Sequence, residues 1–387
     1  MFRPSLHLQR HQFVVDFVKR NKPKQVVDLG CGECSLLQKL KFHSEIELLV
    51  GVDLNGAKLS KKKHVLAPVS TDYLQPTFKQ LCVQLYHGSV TQRDVRLRGF
   101  DLVTSIELIE HLPLDDLDQF SEVVFGYMAP QTVIISTPNS EFNLLFPGLS
   151  GFRHGDHKFE WTRVEFQSWA LKACSEYGFK VEFTGVGEPP PGQEERFGFC
   201  TQIGVFHRLL DRDRHKSGDD VDNHFSYTLL YSIKYPSLRD HNILRKAVVS
   251  EVLYWAEKLK QEWLEELTEK REEENPVEDC VREREEHGGI FWTKGDEHEC
   301  HMSHRHVSVP LHKLWTGCPK LSELTESLHN LAQLIIDDPQ IKLNQDQSAV
   351  IICFLEEDLE DDGPNDLMDS GYVEANNMEK ELWKTDG

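Results

Sequence analysis

Long apolar runs are missing from this sequence. The longest, such as Ala349 to Leu355, fall far short of the ~20 residues that a membrane-spanning helix requires, and no membrane partner is expected. Paired cysteines are missing too. Nine cysteines, an odd number scattered from Cys31 to Cys353, give no disulfide framework and suit a reducing compartment. The opening MFRPSLHLQRHQFVVDFVKR has no uninterrupted apolar stretch before a small-residue cleavage site, so it does not read as a secretory signal. Positive charge is in short supply. Lys and Arg number 43 against 64 Asp and Glu, a net charge of -21, which on its face argues against a phosphate-rich partner, because phosphate affinity comes mainly from Lys and Arg.

What the 387 residues do contain is unevenly spread. At roughly 150 residues per domain there is room for two compact units, or for one unit and a tail. Through residue 207, 22 Lys and Arg stand against 24 Asp and Glu; after it the count is 21 against 40. The near-neutral first part also carries basic clusters at Lys61–Lys63, at Arg93, Arg96 and Arg98, and around Arg153, Lys158 and Arg163, which reopens a nucleic-acid partner there.

In that part, short β-branched runs alternate with helical stretches, the pattern of a doubly wound sheet. Strands are expected at Val26–Gly30, Leu48–Asp53, Cys82–His87, Asp101–Ile106, Val133–Thr137, Val181–Val186 and Thr201–Phe206. The last two flank a proline-rich loop from Gly187 to Gly198, so they should pair antiparallel at one edge. Thr162 and Glu165 form a capping box that opens a helix, with Phe166, Trp169, Ala170 and Ala173 on its core face. The expected architecture is α/β, a mostly parallel sheet with an antiparallel edge, in a catalytic domain covering 1–207. Residues 208–223 read as an acidic linker. Residues 224–355 read as a less defined α/β region with a strand at His224–Tyr235, then a helix carrying Leu244, Val248, Val252, Trp255, Leu259, Trp263 and Leu267 on one face. Residues 356–387 form an acidic tail that reads as disordered. His298, Cys300, His301, His304 and His306 crowd together, but no second half of a zinc site accompanies them, so an exposed polar loop is expected.

Two segments carry chemistry. Val26 to Ser35 reads as a strand entering a Gly-rich turn, with Asp28 two residues before Gly30, then Gly32. Glycines there let the backbone approach a ligand. A second strand ends in Gly51-Val52-Asp53, placing a carboxylate where it can accept both hydroxyls of a ribose. Cys31 and Cys34 are read as small buried residues of the turn. In the second segment, Glu107, Glu110 and His111 stand at i, i+3 and i+4 at the end of the fourth expected strand, hence on one face if the turn is helical. Such a trio can be a solvated acidic face. At the carboxyl end of a sheet strand, where ligands of open α/β folds bind, a shared divalent cation is the simpler reading. His157 or His154, in the loop Arg153 to Arg163, would supply a fourth ligand.

The acid-x-Gly-x-Gly turn and Asp53 resemble the S-adenosylmethionine-dependent methyltransferases of the Rossmann-like class. The resemblance implies that Asp28, Gly30 and Gly32 hold the methionine part of the cofactor, Asp53 its ribose, and the Tyr86-His87-Gly88-Ser89 strand end its adenine, Ser89 standing where many members carry Asp. Glu107, Glu110 and His111 together with Asp156-His157-Lys158-Phe159-Glu160-Trp161 closely resemble the small-RNA 3′-terminal 2′-O-methyltransferases, in their animal form, over roughly residues 8–207. That likeness selects His157 as metal ligand and implies methylation of the terminal 2′-hydroxyl of small single-stranded, piRNA-like RNAs. It further implies one Mg²⁺ or Mn²⁺ ion, an Argonaute or Piwi-type protein presenting the RNA, and a cytoplasmic location in germ-cell RNA granules. The cation would lower the hydroxyl pKa, with His111 a candidate catalytic proton acceptor. Two competing readings are a nicotinamide-dependent dehydrogenase, which would want a third glycine where Ser35 stands, and a catalytically silent RNA-binding scaffold.

Overall fold

A computed structural model describes residues 2–209, 224–274, 301–303 and 306–353; the acidic tail 356–387, most of the expected linker and His298, Cys300 and His304 lie outside the described residues. The chain divides into two compact units, Met1–Leu244 and Arg245–Gly387.

The first unit opens with α1 (Leu6–Asn21), followed by β1 (Gln25–Leu29), α2 (Ser35–Leu40), β2 (Leu48–Asp53), α3 (Gly56–Lys62), α4 (Ser70–Leu74) and β3 (Cys82–His87). β4 (Leu102–Ile106), α5 (Leu117–Ser121), β5 (Thr132–Pro138), α6 (Arg163–Tyr177), β6 (Phe179–Val186), α7 (Glu194–Phe197), β7 (Thr201–Arg208) and β8 (Thr228–Lys234) complete it. All eight strands join one sheet in the order β6-β7-β5-β4-β1-β2-β3-β8. β1 through β5 pair in parallel. They are near-continuous apolar runs because helices cover both faces: Phe120, Phe125, Phe166 and Phe206 fill one side of the sheet, Val14, Val18, Leu37 and Leu40 the other. β7 runs antiparallel to both β5 and β6, the expected edge. Thr162 accepts from the Glu165 amide and Glu165 accepts from the Thr162 amide, so the capping box forms and α6 begins where expected.

The domain boundary does not fall at 207. β8 lies beyond the acidic stretch and pairs antiparallel with β3, Cys82 opposite Lys234 and His87 opposite Thr228, so the sheet is finished only at residue 234. The composition change after Arg208 marks an excursion between two strands of one sheet, and the division between units follows Leu244.

The second unit holds most of α8 (His241–Glu274), then β9 (His301–Ser303), β10 (His306–Pro310), α9 (Leu311–Gly317), α10 (Pro319–Thr325), α11 (Leu328–Ile335) and β11 (Ala349–Cys353). Its strands form an antiparallel sheet ordered β11-β10-β9. His301 and His306 therefore belong to paired strands and not to the expected polar loop. Among the described residues no helix is long and apolar enough to cross a membrane.

Candidate active site

Strand order reverses between β1 and β4, and a crevice opens at the carboxyl ends of a doubly wound sheet at such a point. The two chemistry-bearing segments leave the sheet on either side of it. After β1 the chain turns through Gly30 (φ +75°) and Gly32 (φ +51°), backbone conformations that side chains rarely adopt. At Gly30 a Cβ would stand 2.7 Å from a Leu108 methyl carbon; the missing side chain lets the two segments approach. The Gly32 amide donates to Asp53 Oδ2 at 2.8 Å and the Asn55 amide to Asp53 Oδ1 at 2.7 Å, which aims the carboxylate at the turn.

Asp28, expected to touch the cofactor, lies buried beneath the turn. It is 4% exposed, and the Thr104 hydroxyl of β4 donates to its carboxylate at 2.7 Å. Burial pushes the Asp28 carboxyl up to about 7. It supports the turn from beneath and leaves Asp53 as the acid on the open side. At the end of β3, the Ser89 hydroxyl bonds Thr91, and Tyr227, just before β8, lies against Gly88 with its own hydroxyl 3.0 Å from the Ser89 carbonyl and 2.9 Å from that of Gln92.

Beyond β4, the expected helical face does not form. Glu107 is left-handed (φ +52°) and only Ile109–His111 makes a 3-10 turn. The Glu107 carboxylate meets the Ser136 hydroxyl at 3.0 Å and the Arg10 guanidinium of α1 at 3.3 Å. Glu110, His111 and His157 do converge: a ligand atom of each lies within 4.8 Å of the other two. His154 is exposed and its ring stands 6.0 Å from that of His111, against 4.9 Å for His157. The loop bearing His157 is pinned to this turn by the Lys158 amide, which donates to the Glu110 carbonyl at 2.7 Å.

Glu110 is fully buried. Thr137 donates to its Oε2 at 3.0 Å, while Oε1 has no hydrogen-bond partner. Burial, and next the neighbouring Glu107, push the Glu110 carboxyl well above the usual carboxylate range. Burial raises Glu107 as well, opposed mainly by Arg10, and burial followed by the facing His157 lowers His111. A buried carboxylate with an orphaned oxygen, converging with two imidazoles, fits a divalent cation, which would supply the missing partner and favour the ionised carboxylate. The mixed oxygen and nitrogen donors suit Mn²⁺ or Co²⁺ better than Mg²⁺.

Three contributors were not singled out in the sequence. Glu160 accepts from His157; its only sequence signal is the i+3 spacing inside Asp156-His157-Lys158-Phe159-Glu160-Trp161. Arg10 sits in an ordinary amphipathic helix and Tyr227 beyond the acidic stretch, and neither has a local signature.

A family profile described as a methyltransferase domain matches residues 27–135, and one described as the HENMT1 C-terminal domain matches 242–354. The small RNA 2′-O-methyltransferase of Gallus gallus is 43% identical over 362 residues, 91% of this chain and 94% of the relative. That of Mus musculus is 42% identical over 361 residues, covering 91% and 90%. The crystal structure of small RNA methyltransferase HEN1 superposes with a TM-score of 0.52 at 31% identity, over 61% of this chain and 28% of that one.

Proposed function

Because the chain belongs to the small RNA 2′-O-methyltransferase family, and is an RNA 2′-O-methyltransferase on a Rossmann-like sheet, we propose that it methylates the 2′-hydroxyl of the 3′-terminal nucleotide of small single-stranded, piRNA-like RNAs. The methyl donor is S-adenosylmethionine. One observation carries the finer reading: a buried carboxylate with an unpartnered oxygen, two imidazoles and the Gly30–Gly32 turn face one another across the switch point of the sheet.

Asp53 takes the ribose hydroxyls of the donor, Gly30 and Gly32 leave room for its methionine part, and the Gly88–Ser89 strand end flanks its adenine. Glu110, His111 and His157 would hold the cation, and Glu107, whose carboxylate lies on Arg10 and Ser136, would be a further ligand only if it left them. A cation in that place lowers the pKa of a bound hydroxyl and fixes its direction. Alignment of the nucleophile behind the methyl carbon is the larger demand, and it falls to the rigid turn after β4 and to the loop pinned on it. Burial lowers His111 and so favours the neutral imidazole that a cation ligand must be; while it holds the cation it has no lone pair left to take the proton. Presentation of the RNA by an Argonaute or Piwi-type protein, in cytoplasmic granules, completes the proposal.

Transfer of tritium from S-adenosylmethionine to a short single-stranded RNA, with and without chelator, tests the reading. Label confined to the 2′-oxygen of the last nucleotide and lost with chelator is expected. Label at internal positions or on bases, or transfer indifferent to chelator, would overturn it. RNAs recovered with the tagged protein, and the proteins accompanying them, check the partner and the compartment.

A further inference from the structure

We propose that Glu160 is a positioning residue, a buried carboxylate that sets the tautomer and direction of the His157 imidazole so that its far nitrogen, Nε2, faces Glu110 and His111. The inference rests on the reading of Glu110, His111 and His157 as a cation site.

The Glu160 side chain has no exposed surface. Its Oε1 lies 2.5 Å from His157 Nδ1 and accepts the Arg153 amide at 2.6 Å; its Oε2 accepts Asn143 Nδ2, also at 2.6 Å. Asn143 Oδ1 in turn accepts Arg153 Nε, and the same guanidinium reaches the carbonyls of Asn139 and Cys200. The orientation of the Asn143 amide is forced, because a carboxylate can only accept and a guanidinium can only donate. The network ties together the segment after β5, the loop of His157 and the start of β7, so the carboxylate cannot swing. Both its oxygens are committed, which excludes Glu160 itself as a ligand. An ionised carboxylate accepts from imidazole only if the proton is on Nδ1, and the lone pair then sits on Nε2, the nitrogen left for a metal. The same bond makes that nitrogen a better donor. His111 is held in a like manner by the Asp156 main chain, but only His157 has a charged partner.

Glu160→Gln keeps the shape and breaks the logic: an amide nitrogen facing Nδ1 reverses the tautomer, and an amide oxygen facing it turns the nitrogen onto Asn143 Nδ2. The experiment uses the full chain and Mn²⁺ alone, with binding followed by electron paramagnetic resonance and no RNA present. Glu160→Gln is expected to weaken Mn²⁺ roughly 10–100-fold, Glu160→Asp by less, with S-adenosylmethionine affinity unchanged in both. His157→Ala separates the two levels of the argument. If it binds Mn²⁺ like wild type, the reading of the cation site fails; if it loses Mn²⁺ while Glu160→Gln keeps wild-type affinity, the role of Glu160 fails. Should Glu160→Gln not fold, ¹⁵N NMR of the metal-free wild type decides: a proton on Nδ1 of His157 supports the proposal, and a proton on Nε2 overturns it.

Discussion

Asp28 shows how far the environment can move a single carboxyl. Burial between β1 and β4 raises it from an ordinary 3.8 to about 7, so in the folded protein it stays protonated while in the unfolded chain it ionises above pH 4. The unfolded state then binds fewer protons, and stability falls as pH rises from about 4 to about 7, by an amount on the order of 4 kcal/mol. Asp28→Asn keeps an oxygen for the Thr104 hydroxyl and removes the titration. Melting curves from pH 4 to pH 8 should show the variant gaining on wild type as pH rises; a constant difference would mean that Asp28 ionises normally. A few residues away, roles divide by position. Glu110→Gln, His111→Ala and His157→Ala should abolish methyl transfer with cofactor affinity nearly intact. Asp53→Ala should instead weaken the cofactor by about tenfold to a hundredfold, the equivalent of ~1.5–3 kcal/mol for a charged hydrogen bond. Calorimetric titration of S-adenosylmethionine separates the groups, and equal loss in both would sink the division.

Among the elements, β8 has the most to lose from a misplaced boundary. It covers the open edge of β3, and the segment leading into it supplies the Tyr227 amide to buried Asp94 at 2.9 Å and the Tyr227 ring to the face of Gly88. A fragment ending at residue 209 discards these contacts, worth ~1 kcal/mol per hydrogen bond and ~2 kcal/mol for the ring. Its melting temperature should fall roughly 10 °C below that of a fragment ending at Leu244, and its cofactor affinity should fall with it because the Ser89–Gln92 turn loses its fastening. Equal melting temperatures and affinities would show that the sheet is complete without β8.

For the whole molecule, the placement of charge predicts which RNA end the proposed activity would accept. The net charge is -21, but little of it lies in the first 207 residues, which are nearly neutral and carry local basic clusters. At the centre of the candidate site Glu110 is buried and Glu107 half-buried, and a 3′-phosphate would bring negative charge beside whichever of them is ionised. At a few ångströms and an effective dielectric near 20, each added charge costs about 4 kcal/mol before any cation offsets it. RNA ending in two free hydroxyls should be methylated at least tenfold faster than the same RNA with a 3′-phosphate, as mass spectrometry of the products would show; equal rates would place the RNA end away from these carboxylates.

Seven strands, the Gly30–Gly32 turn, the α6 cap and the three side chains that converge, Glu110, His111 and His157, were legible in the sequence because most rest on neighbours a few positions apart: β-branched runs, glycines where φ must be positive, a Thr and a Glu three residues apart. The tertiary structure alone decided the rest. That β8 closes the sheet depends on pairing across more than 140 residues, which no local pattern encodes. Glu107 leaves the helical face because Arg10, from a helix nearly a hundred residues earlier, and Ser136 compete for its carboxylate. Asp28 is buried where β4 offers it the Thr104 hydroxyl, and His157 owes its direction to a buried network drawn from three separate segments. Residue types and spacings thus pointed to the chemistry; desolvation and long-range contacts determined which side chains come together and which atoms they present.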